Sequence, residues 1–275
     1  MADYPPPLDA LLEIGDVWRS EGHGPVDYRA LGVGREHVAD LLRMTTDEDL
    51  ATRDLRDGPA GWAPYHALHA LGALRAEEAI GPLAGLFRRF EETDDDYGME
   101  MLADVFGAIG PAALPALEAL FDDATRREHS YALNVASEAI AAIGRGDPTA
   151  RSEAVATLTR LLDAAERNDP TLNGFLVSAL VDLDAAEAGP TLERAFDAGL
   201  VDETIAGDKA MILFDLDLGP PPDPGIPRFR TWPVAPTDPV VRPDPPRRED
   251  RSKRPDPAKL ARQHKDARKK KGKRR

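Results

Sequence analysis

A chain of 275 residues without a cysteine excludes disulfides, thiol nucleophiles, cysteine-ligated zinc and iron–sulfur clusters. Its net charge of −14 is unevenly placed: residues 247–275 carry 15 Lys+Arg against 4 Asp+Glu, a charge of +11, and residues 1–246 carry 20 against 45, a charge of −25. So acidic a body argues against a surface that grips DNA, which needs a basic face.

Residues 1–16 show no basic segment followed by an apolar run, and no apolar run approaches a membrane span, so neither a signal peptide nor a membrane partner is expected and the cytoplasm is the expected location. After Tyr4 and three prolines, residues 3–20 read as a helix with Leu8, Leu11, Leu12, Ile14 and Val17 facing inward and Trp18 near its end. Residues 24–33 are Gly-rich. A second helix is expected over about 34–44, burying Val38, Leu41 and Leu42, and Thr46, Asp47 and Glu48 read as the N-cap of another turn. Residues 1–61 together are expected to be an N-terminal helical cap on the helices beyond residue 62.

Residues 65–90 read as two short helices. In the first, Leu68, Leu71 and Leu74 make an apolar face, with Pro64 where a helix tolerates a missing N–H. Arg75, Ala76 and Glu77 make the turn. The second carries Ile80, Leu83, Leu86, Phe87 and Phe90 on one side, with Pro82 in its first turn. Such a pair cannot bury both faces alone, and its neighbours are present in the sequence. The last apolar residue of the first helix recurs as Leu74, Ile109, Ile143 and Leu183, at steps of 35, 34 and 40 residues. Phe87, Phe121, Leu162 and Phe196 recur at steps of 34, 41 and 34. Tyr65, Tyr97 and Tyr131 mark three first helices, and Pro82, Pro115 and Pro190 three second helices. The period places repeats at about 62–91, 94–123, 126–167 and 170–198, and periods of this length mean stacked helix pairs.

The strings HALGALRAEEAIGPL (69–83) and DVFGAIGPAALPAL (104–117) resemble HEAT repeats in the short bacterial form found in phycobilisome-lyase-like proteins. The blocks YPPPLDALLEIGD, DYRALGVGREHVADLLRMTTDEDL, WAPYHALHALGALRAEEAIGPL, NDPTLNGFLVSALVDLDAAEAGPTLERAF and VDETIAGD widen the resemblance to a bacterial HEAT-repeat family of uncharacterised function, over roughly residues 3–218. The resemblance implies an all-α superhelical solenoid over 62–218. It transfers no catalytic residue.

Residues 200–218 end in a short helix and the alternation from Phe214 to Leu218, which fits an extended edge or a cap. Residues 219–246 hold 11 prolines and are expected to be a disordered or polyproline-like linker, although 226–232 are unusually apolar. Residues 247–275 are the basic tail, expected to be disordered apart from a solvated helix from Asp256. On a leash of 28 residues, about 87 Å at the polyproline rise, it reaches either the acidic body or a separate polyanion.

His66 and His69 stand three apart, a spacing that can share a metal with Asp94, Asp95, Asp96 or Glu100, but ordinary packed histidines are the preferred reading. HEAT-repeat deoxyhypusine hydroxylases hold iron with His-Glu dipeptides; here Glu128 precedes His129, the reverse order. The acidic run 91–96 lacks the spacing of a calcium loop and reads as a solvated loop. Gly32, Val33 and Gly34 lack the third glycine of a dinucleotide loop, and neither a G-x-S-x-G nor a Walker A string occurs. Trp62 and Tyr65 read as a structural layer rather than a ligand groove, and Asn173 with Gly174 as a close helix crossing.

No catalytic, cofactor-binding or metal-ligating residue is therefore assigned. The expected function is that of a non-enzymatic scaffold binding a protein partner through the second-helix ridge, where Arg88, Arg89, Glu118, Asp122, Arg160, Arg194 and Asp197 lie. Two alternatives stand beside it. One is a nucleic-acid or ribosome tether acting through Arg268, Lys269, Lys270, Lys271, Lys273, Arg274 and Arg275; the other is a HEAT-repeat enzyme of the bilin-lyase kind.

Overall fold

The computed structural model describes residues 4–17, 26–122 and 130–222, and every regular element among them is helical. The linker beyond residue 222, the basic tail, Trp18, and Glu128 with His129 lie outside the described residues.

The N-terminal region opens with a 3-10 turn, Leu8–Ala10, that runs into the single turn of α1 (Leu11–Ile14). Gly15 takes up the left-handed region, φ 83°, and ends it, so the helix expected over 3–20 is much shorter than its apolar spacing implies. Residues 26–34 form turns, and a 3-10 turn, Arg35–His37, leads into α2 (Val38–Thr45). Val38 and Leu41 are buried there, whereas Leu42 is half-buried. Asp47 caps α3 (Glu48–Ala51), its carboxylate accepting from the N–H groups of Asp49 and Leu50.

Four helix pairs come next: α4 (Ala63–Ala73) with α5 (Ile80–Thr93), α6 (Asp96–Ile109) with α7 (Leu114–Ala119), α8 (Tyr131–Gly146) with α9 (Arg151–Asp163), and α10 (Pro170–Asp182) with α11 (Gly189–Asp197). α4 packs on α6, α6 on α8 and α8 on α10; α5 packs on α7, α7 on α9 and α9 on α11. First helices thus form one layer and second helices another. α1 and α2 both pack on α4. At the other end α12 (Glu203–Ala206) packs on α10 and α13 (Lys209–Asp215) on α11. The alternation from Phe214 to Leu218 is helical at its start and turns afterwards, with Asp217 left-handed and Leu218 N–H returning to the Leu213 carbonyl at 2.7 Å.

Local chemistry explains the boundaries. Pro64, Pro82, Pro115, Pro170 and Pro190 all lie within the first three residues of a helix, where no intrahelical partner is lost. α4 and α10 end alike. Arg75 and Asp184 are left-handed, each at φ 50°, and the next N–H reaches back five residues: Ala76 to Leu71, and Ala185 to Leu180.

Packing follows the predicted period. Leu74, Ile109, Ile143 and Leu183 are all buried, as are Phe87, Phe121 and Leu162, while Phe196 is half-buried. Phe87 stacks on Phe106, ring centroids 5.8 Å apart, and so joins the first pair to the second. Glycines set the spacing of the first-helix layer. A Cβ on Gly72 would meet the Val105 backbone at 3.3 Å, and one on Gly107 would meet the Ala142 Cβ at 2.9 Å.

Candidate interaction surface

The second-helix layer carries the predicted charged ridge. Arg160 on α9 donates a fork to Glu118 on α7 at 2.9 to 3.1 Å. Arg194 on α11 donates to Asp163 on α9 at 2.7 Å, and Lys209 on α13 to Asp197 on α11 at 2.6 Å. The first two rungs join one second helix to the next, and the third joins the last of them to α13. Arg160 and Arg194 also reach the hydroxyl of a threonine three residues back, Thr157 and Thr191. Arg88 pairs within its own helix with Glu92 at 3.8 Å, Arg89 donates to the Thr46 carbonyl at 3.2 Å, and Asp122 is exposed. The structure brings most of these residues onto one layer, but as a ladder that ties neighbouring helices together rather than a row of uncommitted charges.

Two arginines that the sequence did not single out hold the turns. Arg35 donates to the Arg75 carbonyl at 2.9 Å and pairs with Glu78 at 3.1 Å. Arg151 donates to the carbonyls of Leu183 and Asp184, both at 2.8 Å, and pairs with Glu187 at 2.8 Å, which holds that carboxyl below its usual range. The carbonyls lie at the C-caps of α4 and α10 or one residue beyond, and those of Arg75 and Asp184 also accept the N–H groups of Glu77 and Ala186, both at 3.0 Å. The signal was present in the sequence, since both turns read Leu-x-Ala-x-Glu-Ala, at 74–79 and 183–188. Beside the first, Arg29, Val33, Gly34, Arg35 and Leu74 line an open crevice of about 390 Å³. Arg29 is itself engaged there with the Ala73 carbonyl at 3.2 Å, and Gly34 N–H donates to His37 Nδ1 at 3.0 Å.

His66 is fully buried. Its Nε2–H donates to the Gly15 carbonyl at 2.7 Å, because that oxygen can only accept, and its Nδ1 therefore accepts from the Tyr28 hydroxyl at 2.9 Å. Burial keeps this ring neutral, pushing its pKa below the ordinary 6.5, and does the same to His69 despite the opposing charge of Asp104. With both nitrogens of His66 engaged, the ring pins two N-terminal segments onto α4 and offers no lone pair to a metal. Among the described residues no group of three or more His, Asp or Glu side chains is placed to hold one.

The start of the first-helix layer is aromatic and acidic. Trp62, Tyr65 and Tyr97 touch mutually, with centroids 5.9 to 6.3 Å apart and planes at 60 to 73°, an edge-to-face arrangement. Trp62 Nε1–H donates to the Leu55 carbonyl at 3.1 Å, and the Tyr65 hydroxyl to Asp95 at 3.1 Å. Tyr97 is 40% exposed and Tyr131, at the start of the next first helix, 38%. Residues 91–93 belong to α5 and Asp96 to α6, so the loop expected over 91–96 is reduced to Asp94 and Asp95. Asp95 accepts from the Gly98 N–H, Asp94 is left-handed at the end of α5, and Glu91 accepts from the Ser130 hydroxyl and the Ala132 N–H at the start of α8.

At the far end, Asn173 is fully buried and satisfied: it donates to the carbonyls of Ala165 and Leu200 and accepts from Asn168. Gly174 beside it makes the close crossing, where a Cβ would stand 2.9 Å from the Ile205 Cβ. No described helix is long and apolar enough to cross a membrane. Comparison with protein-family models, with curated proteins and with solved structures finds no match to this chain.

Proposed function

We propose that the protein is a non-enzymatic adaptor, a HEAT-like solenoid of helix pairs that binds a protein partner along its layers. The observation that supports this reading is the serial packing of α4, α6, α8 and α10, with Leu74, Ile109, Ile143 and Leu183 buried in turn. Stacked pairs of this kind present long surfaces assembled from several repeats, and such surfaces suit extended recognition of another chain. The buried polar groups support it too: His66 and Asn173 have their hydrogen-bonding atoms directed at the protein's own backbone and side chains, which is a structural use.

A second reading rests on the charge of +11 in residues 247–275, which suits a polyanion such as RNA. The test for both is a pull-down with the full chain and with a chain ending at residue 246. A protein partner retained by the shorter chain supports the adaptor. Nucleic acid captured by the full chain and lost with the tail supports the tether. Capture of neither, with turnover of a small molecule by the purified chain, overturns both in favour of an enzyme.

A further inference from the structure

We propose that the segment 226–232, just beyond the described chain, docks on the outer side of α13 and closes the C-terminal end of the stack. The burial of α13 is the starting point. The second-layer helices α5, α9 and α11 each keep a solvent stripe: Gly85, Arg88 and Glu92 are exposed on α5, Glu153, Ala156 and Arg160 on α9, and Pro190, Arg194 and Asp197 on α11. A terminal helix packed on α11 should keep a wider one. On α13 the stripe is missing: residues 211–216 are all buried or half-buried, and six consecutive residues point in every direction around a helix.

Phe214 identifies the covered side. Ile212 and Leu216, one turn apart, join the continuous core. Phe214 lies about 200° around the helix from Ile212. It is not part of that core, yet its exposure is only 9%. A large ring on the side away from the core is buried only if chain from outside the stack lies over it.

The chain that follows is in place to do so. Leu218 N–H returns to the Leu213 carbonyl at 2.7 Å, and a Cβ on Gly219 would stand 3.3 Å from the Leu213 Cβ, so the chain leaves along α13 rather than away from it. Residue 226 is four residues past 222, at most about 14 Å away, and seven extended residues reach about 23 Å, against about 10 Å for the length of α13. From residue 219 onward Phe229 and Trp232 are the two aromatic residues, with Ile226 and Pro227 beside them, in a stretch otherwise too polar to bury. The boundary between the chain's two units also falls after Trp232, not after Leu218. The other segments outside the described residues fit less well: 123–129 has no large apolar side chain, and 18–25 follows α1 at the opposite end.

Closure has two consequences. An end so covered cannot stack on another copy, which leaves the sides of the layers for a protein partner. The leash of the basic tail also shrinks to residues 233–246, about 43 Å at the polyproline rise.

Limited trypsin digestion of the native full chain is the test. The bond after Arg228 should be cut at least about tenfold more slowly than the bond after Arg247 in the tail. Trp232→Ser leaves three residues on either side of the Arg228 bond unchanged and should bring the two rates together. In Phe229→Ser with Trp232→Ser, amide exchange should quicken at residues 211–216, while α4, α6 and α8 keep the protection of the parent and so show that the variant is folded. Should the variant not fold, the cleavage pattern of the parent decides alone. Cutting after Arg228 in the parent as fast as after Arg247 would overturn the proposal, and so would α13 exchange that the double substitution leaves unchanged. Exchange at α13 that quickens on dilution of the parent would overturn it too, by assigning the cover to a second copy.

Discussion

Gly107 lies so close to Ala142 that a methyl group on the glycine would meet the Ala142 Cβ at 2.9 Å. This contact joins α6 to α8 in the first-helix layer, and it inverts the usual rule that glycine weakens a helix. Gly107→Val should destabilise the fold by about 1–3 kcal/mol through overpacking. Gly85, exposed on α5 with nothing within 4 Å of a built Cβ, is the control. Gly85→Ala should stabilise by about 0.5–1 kcal/mol. Urea melts of the two variants should move in opposite directions.

Asn173 satisfies two backbone carbonyls and one side-chain amide from a position with no solvent contact. Asn173→Ala removes a partner from the Leu200 carbonyl and the Asn168 amide, both half-buried, while the Ala165 carbonyl keeps the Asn168 N–H at 3.2 Å, and it should cost about 1–3 kcal/mol, more than most substitutions on this chain's surface. Denaturant midpoints of the variant and the parent measure the difference.

Acid should loosen the N-terminal region. Burial sets the pKa values of His66 and His69 below 6.5 in the folded chain, so between the folded and unfolded values the unfolded state binds more protons. Their contribution is therefore fully present above about pH 6.5 and is lost progressively as pH falls below it toward the folded values. A urea midpoint that is flat above neutrality and declines from pH 6.5 downward is the expected result. Replacing both histidines with Leu should remove that part of the slope.

The ladder on the second helices should be energetically modest. The Glu118 and Arg160 side chains are 36% and 55% exposed, so water screens the pair. A double-mutant cycle with Glu118→Ala and Arg160→Ala should return a coupling of at most about 1 kcal/mol, smaller still in high salt.

What the sequence made legible was periodic and apolar. The equivalence of Leu74, Ile109, Ile143 and Leu183 could be read from spacing because burying one position per helix pair leaves a regular trace. Relationships between pairs left weaker traces. The charged ridge was visible as a set of positions, but the pairing of Glu118 with Arg160 depends on two helices lying side by side. Arg35 and Arg151 were missed because each acts on the turn of the next pair, outside the unit in which the repeat was read. Gly72 and Gly107 were not singled out, since their use is defined by the residue opposite. The N-terminal helix was over-extended because apolar spacing outweighed Gly15, whose positive φ stops the chain after Ile14. For the candidate surface, Tyr97 and Tyr131 were noticed as repeat markers, and their exposure is a property of the folded layer.

The start of α8 is fixed from a distance. Glu91, at the end of α5, receives the Ser130 hydroxyl and the Ala132 N–H, so the first turn of α8 takes its place from a side chain 39 residues earlier in the chain. Removing that carboxylate with Glu91→Ala would therefore loosen a helix to which the residue does not belong, and faster amide exchange at the first turn of α8, with α5 itself intact, is how the dependence would show.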